Sequence, residues 1–524
     1  MLRRILSVQV VMVFILGLGL SLAHEKQEAA DQSAHSRQAQ SGAKTGASSG
    51  AGKANKTKSR PIKSMTVTTS SAKAKDLYQR AVQDYELLYL ERSLIGFRAA
   101  AKEDPQFAAA FAMVAFNTRD PEETRTAREQ ARTLAAKASP GEKLMIQWFD
   151  NIEEGKYLEG IVAMNDLIAM FPRDKHIYYF AANWLIGVNG LEQAHTFLHK
   201  ALEVDTDYPP ALNDLAYLHA RNRQFEEAFQ DMERYAALLP KEPNPQDSYG
   251  EVLRMAGRYE ASLDHYRAAL AIDPNFNTSQ LGLGDTYALM GDQEKARQEY
   301  DKAIEKEPNP ANRFDYRMQK AITWVREKNY VEADRELWRI SVEAHAQSYE
   351  FQEAQALLRM AHYAADDQLA LERLASAEDA LTHKHNLLPS DRDEALAQIL
   401  RVRASRWSHA SKPDEAQKAL TQLAALAATN HSRTIQACWH GAAGASLAAQ
   451  GNLKEAIPEL EEDQDNPETL AVLIKAYKDA AAAGKSQEAE ARLRSTNMPS
   501  LEKILASDLL EVKPAQTQDP VAAK

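Results

Sequence analysis

Proline falls on a grid in this chain. Pro240, Pro274 and Pro308 stand 34 residues apart, and two further steps back reach Thr206, just after Asp205, and then Pro172. A fixed period of a few tens of residues marks a stacked repeat, because one such unit cannot bury its own apolar face. The interior of each unit keeps the same grid. Asn277–Pro308 holds Leu283, Gly284 and Tyr287, then Gly291, Ala296, Tyr300, Ala303 and Ile304. The preceding unit holds Tyr249, Gly250, Gly257, Tyr259, Ser262, Tyr266, Ala269 and Leu270, and the one before it Leu215, Ala216, Phe225, Ala228 and Met232. Each unit reads as two amphipathic helices broken by a turn and ended by proline. Aromatic residues are only 7% of the chain, which also favours helices over a β-sandwich or barrel.

These positions resemble the tetratricopeptide repeat, whose first helix carries Leu-Gly and Tyr and whose second carries Ala, an aromatic residue, Ala and Pro. The physical reading agrees. Small residues on both helices allow close approach, the aromatic residue fills the gap to the next pair, and glycine turns the chain. The resemblance implies an all-α fold, a right-handed α-solenoid of stacked antiparallel helix pairs. Weaker units flank the clear ones: Ser93, Phe97, Ala100 and Pro105, a looser unit closed by Pro140, then Tyr330 with Ala333, Pro389, Lys412–Ala416, Ala443–Leu460, and Gly484 with Ala489. About eleven to thirteen pairs are expected in all. The array is placed at 73–345, clearest over 143–308. Degenerate repeats follow over 346–500, and a C-terminal tail over 501–524. The two arrays are either one continuous superhelix or two hinged near Ala344–Glu353.

Residues 1–23 read as an export signal. Arg3 and Arg4 precede an uncharged stretch from Ile5 to Ala23, and Ser21-Leu22-Ala23 offers small residues for cleavage after Ala23. The mature protein is then expected in a periplasm or cell envelope, most simply a bacterial one. Left uncleaved, the stretch would be an inner-membrane anchor, and the protein a membrane-anchored regulator. Residues 24–72 are rich in Gly, Ser, Ala, Lys and Gln, with eight Lys/Arg against three Asp/Glu, and read as a disordered linker. Within it, Gly46–Lys53 imitates a phosphate-binding loop, but five residues separate Gly46 from Gly52 and Ala54 stands where Ser or Thr is required.

A solenoid of this kind binds a partner protein or peptide along its concave face. By the resemblance, positions five and nine of each first helix face that groove: Tyr179 and Asn183, Asn213 and Tyr217, Asp247 and Glu251, Leu281 and Asp285. The line turns acidic toward the C-terminus, which favours a partner with a basic or amide-rich segment. The lysines by which one variant of the family clamps a C-terminal carboxylate would fall at Tyr179, Pro210 and Asn213, so that clamp is not expected.

Little points to catalysis, and the chain is read as a non-enzyme without cofactor or metal. Glu192, His195 and His199 share a helical face but lack the order of a zinc-protease motif, and His383 and His385 suit a helix end. Cys438, the single cysteine, excludes a disulfide framework and reads as core. The acidic run Glu459–Asp465 lacks the glycine of a calcium loop and reads as a solvated helix end. The six tryptophans read as inter-helix packing. The net charge of -11 argues against nucleic acid as partner. One alternative is an enzyme accessory or catalytic unit in the degenerate repeats, for which a deep pocket with clustered titratable groups within Tyr349–Asn497 would be the sign.

Overall fold

The computed structural model describes residues 64–187, 190–382 and 387–510. The export signal, most of the linker, His383, His385 and residues 511–524 lie outside the described residues. Among the described residues, helices α1 to α24 form twelve consecutive pairs, and α25 follows without a partner of its own. The pairs are α1 (Ala72–Glu86) with α2 (Leu90–Glu103), α3 (Ala108–Asn117) with α4 (Pro121–Leu134), α5 (Pro140–Glu153) with α6 (Tyr157–Met170), and α7 (Lys175–Gly187) with α8 (Leu191–Val204). Next come α9 (Pro209–Arg221) with α10 (Phe225–Leu238), α11 (Asn244–Met255) with α12 (Tyr259–Ile272), α13 (Asn277–Met290) with α14 (Gln293–Lys306), and α15 (Pro310–Arg326) with α16 (Tyr330–Ala346). The last are α17 (Glu350–Tyr363) with α18 (Asp367–Thr382), α19 (Pro389–His409) with α20 (Pro413–Thr429), α21 (Arg433–Ala449) with α22 (Leu453–Glu461), and α23 (Pro467–Asp479) with α24 (Ala483–Arg494); α25 is Leu501–Leu509. Helices α1 to α24 each pack on their neighbour in sequence, and most first helices also touch the next first helix, giving a TPR-like superhelix.

The grid has a plain cause. Pro172, Pro240, Pro274 and Pro308 each sit two residues beyond the end of a second helix. Gly257 and Gly291 take the left-handed conformation in the turn inside a pair, at φ 79° and 91°. Arg223 and Lys328 take the same conformation in their own pairs without being glycine, at φ 62° and 59°. Tyr266 wedges between two first helices, against Gly250 of α11 and Gly282 of α13, where any Cβ would crowd its ring. Tyr300 does the same against Gly284. Packing runs unbroken through Ala344–Glu353. One core joins Phe314, Leu337, Ile340, Ala344, Ala356 and Met360, and the Phe314 and Tyr349 rings lie 5.8 Å apart.

Two segments depart from the sequence expectation. Residues 64–71, placed in the linker, form an extended strap across the starts of three first helices. Met65 N–H donates to Asp174 at 2.9 Å, Thr68 N–H to Glu142 at 2.9 Å, and the Thr69 hydroxyl to Asp104 at 2.5 Å. Ser71 then caps α1. Residues 501–509, placed in the tail, form α25, capped by Ser500 and buried through Leu501, Glu502 and Ala506. Trp338 is also no packing residue: it is 56% exposed on α16, beside exposed Val331 and Val342.

The superhelix closes on itself. The turn inside an early pair meets the start of a first helix several pairs later. Tyr89, between α1 and α2, bonds Glu242 ahead of α11, and its ring lies 5.9 Å from Phe276 ahead of α13. Arg119, between α3 and α4, bonds Asn312 and pairs with Asp315 at 2.7 Å on α15. Tyr157, at the start of α6, donates to Glu394 of α19 at 3.1 Å. These contacts form a seam along which successive coils touch.

Candidate functional site

First helices α7, α9, α11, α13 and α15 set two lines of side chains at 34-residue steps along the inner face. One runs Tyr179, Asn213, Asp247, Leu281, Asp315. The other runs Asn183, Tyr217, Glu251, Asp285, Gln319. Along the second line, neighbours bond directly. Tyr217 OH donates to Glu251 Oε2 at 2.9 Å, and Gln319 Nε2 donates to Asp285 Oδ1 at 3.3 Å. Residues outside the expected set complete the network. Asn183 Nδ2 donates to Asp214 at 3.3 Å, Ser279 Oγ to Asp247 at 2.5 Å, Arg254 Nη2 to Glu251 at 2.8 Å, and Tyr300 OH to Asp285 at 2.7 Å.

The face is not an open groove at its N-terminal end. Tyr179, Asn183, Asn213 and Asp247 are buried, at 0%, 1%, 2% and 8% exposure. The cause is the closing of the superhelix. Tyr85 of α1 donates to Asn183 Oδ1 at 3.1 Å and stacks on Phe180 with ring centres 5.1 Å apart, while Glu86 meets His176. Tyr217, Glu251, Leu281 and Asp285 keep partial exposure, so the structure divides the eight residues into a sealed half and an accessible half.

Burial sets the electrostatics of the face. It pushes the Asp214 carboxyl up to about 7, against the pull of the Asn183 and Asn213 amides. It raises Asp285 as well, opposed by Arg254. Arg221 is pulled down to about 10 by burial. At His176 burial opposes protonation, but the Glu86 carboxylate outweighs it and the imidazole is raised. Arg254, Asp214 and Gln319 were not singled out in the sequence. Gln319 was findable, since it lies one 34-residue step beyond Asp285.

The other candidates are set aside by their surroundings. His195 and His199 lie on α8 with Nε2 atoms 3.2 Å apart. Among the described residues no three His, Cys, Asp or Glu side chains gather where they could hold a metal ion. Cys438 is buried, and burial pushes its thiol up to about 12, unsuited to a nucleophile. The acidic run is not wholly solvated: Asp463 is buried and pairs with Arg401 at 2.8 Å. Titratable groups do cluster in the degenerate repeats, where Arg359, His362, Arg401, Glu468 and Glu502 line one cavity, but its volume of about 20 Å³ admits little more than a water molecule. A larger cleft of about 520 Å³ lies between α14, α15 and α16. Most of its charges are paired, Arg317 with Glu336 at 2.7 Å and Lys320 with Asp301 at 2.5 Å, while Arg313 donates to the Glu307 and Pro308 carbonyls. No helix among the described residues is long and apolar enough to cross a membrane.

Comparison with known proteins places the repeats. A TPR repeat family matches residues 250–291, and a tetratricopeptide repeat family matches residues 278–310. The TPR repeat-containing protein YpiA of Bacillus subtilis (strain 168) is 25% identical over 171 residues, covering 31% of this chain and 39% of that protein. Among solved structures, a tetratricopeptide repeat protein from Parabacteroides merdae matches at TM-score 0.33 and 14% identity, over 52% of this chain and 93% of its own. The APC/C hetero-tetramer Cut9-Hcn1 matches at TM-score 0.38 and 15% identity, over 77% of this chain and 76% of its own. With the 34-residue grid, the paired helices and the repeat-family matches together, this chain is a TPR repeat-containing protein.

Proposed function

We propose that this chain is an exported scaffold of a bacterial envelope that holds a partner protein through the accessible half of its inner face. TPR domains generally bind protein or peptide partners, and the fold is typically non-catalytic. The observation that carries the reading is the polar line Tyr217, Glu251, Asp285 and Gln319, partly exposed and spaced one repeat apart. Regularly spaced donors and acceptors suit an extended segment, whose own backbone groups recur regularly. With Glu251 and Asp285 in the line, a segment carrying amide or basic side chains fits best. Export rests on residues 1–23, with cleavage after Ala23 releasing the protein to the periplasm.

In-cell cross-linking of the tagged protein, followed by mass spectrometry, tests the reading. A variant carrying Tyr217→Phe and Leu281→Ala runs beside it, because these changes alter the exposed line while leaving Glu251 paired with Arg254 at 2.8 Å. One envelope protein captured by the natural chain and lost from the variant is the expected result. Equal capture by both would remove the inner face as the site. The mass of the mature chain checks cleavage.

A further inference from the structure

After α24 the chain stops pairing helices and turns back on itself. Ser495 closes α24 in a turn, and Thr496–Ser500, in neither helix nor strand, cross pairs that lie far earlier in the sequence. Their backbone is read by side chains of those pairs. Arg223 Nη1 donates to the Ser495 carbonyl at 3.2 Å, and Gln319 Nε2 donates to the Pro499 carbonyl at 2.6 Å. Gln319 is the same side chain that continues the inner line beyond Asp285. The Asn497 amide is gripped on both sides: Nδ2 donates to the Met255 carbonyl at 3.0 Å, and Oδ1 accepts from Tyr259 OH at 2.9 Å. Helix α25 then drops Leu501 into the core formed by Phe314, Met318 and Met360, and Asp508 approaches Lys328 at 3.6 Å.

Carbonyls taken up by side chains, an amide held from two directions and one anchoring leucine are how a receptor holds an extended peptide. The seated segment fits imperfectly. Glu502 Oε2 and Arg359 Nε are both buried at the water-sized cavity, and neither has a hydrogen-bond partner among the described residues. A buried carboxylate left half-satisfied weakens the seat it occupies.

We propose that Ser495–Leu509 is a built-in ligand, and that the surface beneath it, from Arg223 through Tyr259 to Gln319 and Phe314, is where the partner docks. The inference rests on the scaffold reading and names the chemistry of the partner. That partner presents an extended stretch with an amide side chain, a proline two residues later, and a short helix headed by leucine. It displaces the chain's own segment to bind. Because the built-in segment is tethered, its effective concentration is of the order of mM, so a free segment at μM levels does not compete with it in the natural chain.

The test uses the full chain and a fluorescent peptide with the sequence of residues 495–510, followed by anisotropy. Two variants weaken the tethered copy while leaving the receiving surface intact: Leu501→Ala, and the milder Asn497→Ala, which removes no core side chain. The expected result is no measurable binding to the natural chain and saturable binding to the variants, with apparent Kd at least about tenfold lower. Adding Gln319→Ala to either variant should weaken that binding again. Equal binding to all forms, or none to a variant whose helical circular dichroism is unchanged, overturns the proposal. If Leu501→Ala unfolds, Asn497→Ala decides alone. Cross-linking separates this inference from the scaffold reading. A partner captured equally by the natural chain and Asn497→Ala keeps the scaffold and removes the built-in ligand. Peptide binding by Asn497→Ala, with no partner captured in cells, does the reverse.

Discussion

Replacing Gly282 by alanine should destabilise the chain, although alanine is the better helix former. A Cβ at position 282 would come within 3 Å of three ring carbons of Tyr266. Carbon atoms in good contact stand about 3.5–4.0 Å apart, so the ring would have to retreat by about 1 Å. Retreat is blocked, because Tyr266 is 2% exposed and Gly250 closes its other side, where a Cβ would already meet the ring at 3.1 Å. Overpacking of this kind costs about 1–3 kcal/mol, against about 1 kcal/mol gained from helix propensity, leaving a net loss of up to about 2 kcal/mol. Gly484 supplies the control. It lies in α24, and a Cβ there would meet nothing within 4 Å, so Gly484→Ala should stabilise by up to about 1 kcal/mol. Urea unfolding followed at 222 nm measures both, and hydrogen exchange over α11–α14 localises the effect. In a Tyr266→Leu background the penalty of Gly282→Ala should disappear. If Gly282→Ala stabilises the natural chain as much as Gly484→Ala does, the wedge argument is refuted.

Two further outcomes follow from the buried charges and the seam. Asp214 and Glu394 are both pushed up to about 7 by burial, so each contributes stability that is complete below its unfolded value of about 4 and is lost as pH rises through about 7; at about 1.4 kcal/mol per unit the two lose about 5 kcal/mol together between pH 5 and pH 7.5, so thermal melts should fall over that range, and Asp214→Asn with Glu394→Gln should remove most of that fall. Arg119→Ala removes the Arg119–Asp315 pair and its bond to Asn312, so small-angle scattering should report a larger radius of gyration with unchanged helical content; an unchanged radius would mean the seam does not hold the coils together.

The pairing of helices was legible because its causes repeat. Proline two residues past a second helix and glycine beneath a tyrosine ring recur every 34 residues, so several copies vouch for one another. The turn conformation was legible at Gly257 and Gly291 but hidden at Arg223 and Lys328, where the helix-closing bonds of Gln224 N–H to the His219 carbonyl and Asn329 N–H to the Trp324 carbonyl span a left-handed residue that is not glycine. The 34-residue step between groove candidates was also readable, and Tyr217 and Glu251 bond across one such step. The candidates' burial was not. It depends on Tyr85 reaching Asn183, 98 residues away, and such contacts carry no period. Helix α25 went unread because it has no partner helix to complete a repeat, though Leu501, Ile504 and Leu505 already mark a helical face capped by Ser500. The Thr68 and Thr69 strap was unreadable for another reason: its hydroxyls gain their meaning only from Glu142 and Asp104 on distant pairs.

The seam changes how the array must come apart and come together. An open stack of repeats is a one-dimensional chain of neighbours and frays from its ends. Here each early pair has neighbours in two directions, along the stack and across to the next coil, so the energetics are those of a small lattice rolled into a tube. Fraying at α1 must break Tyr89 away from Glu242, and loosening α6 must free Tyr157 from Glu394, 237 residues on. Unfolding should therefore be more cooperative than that of an open array of equal length. Assembly carries the opposite burden. Contacts of that separation close late and slowly, after local pairs have formed. During synthesis the first pairs fold with their inner edge bare until the later coil exists to cover it, which makes that interval the period when the edge is most open to a chaperone or to a partner.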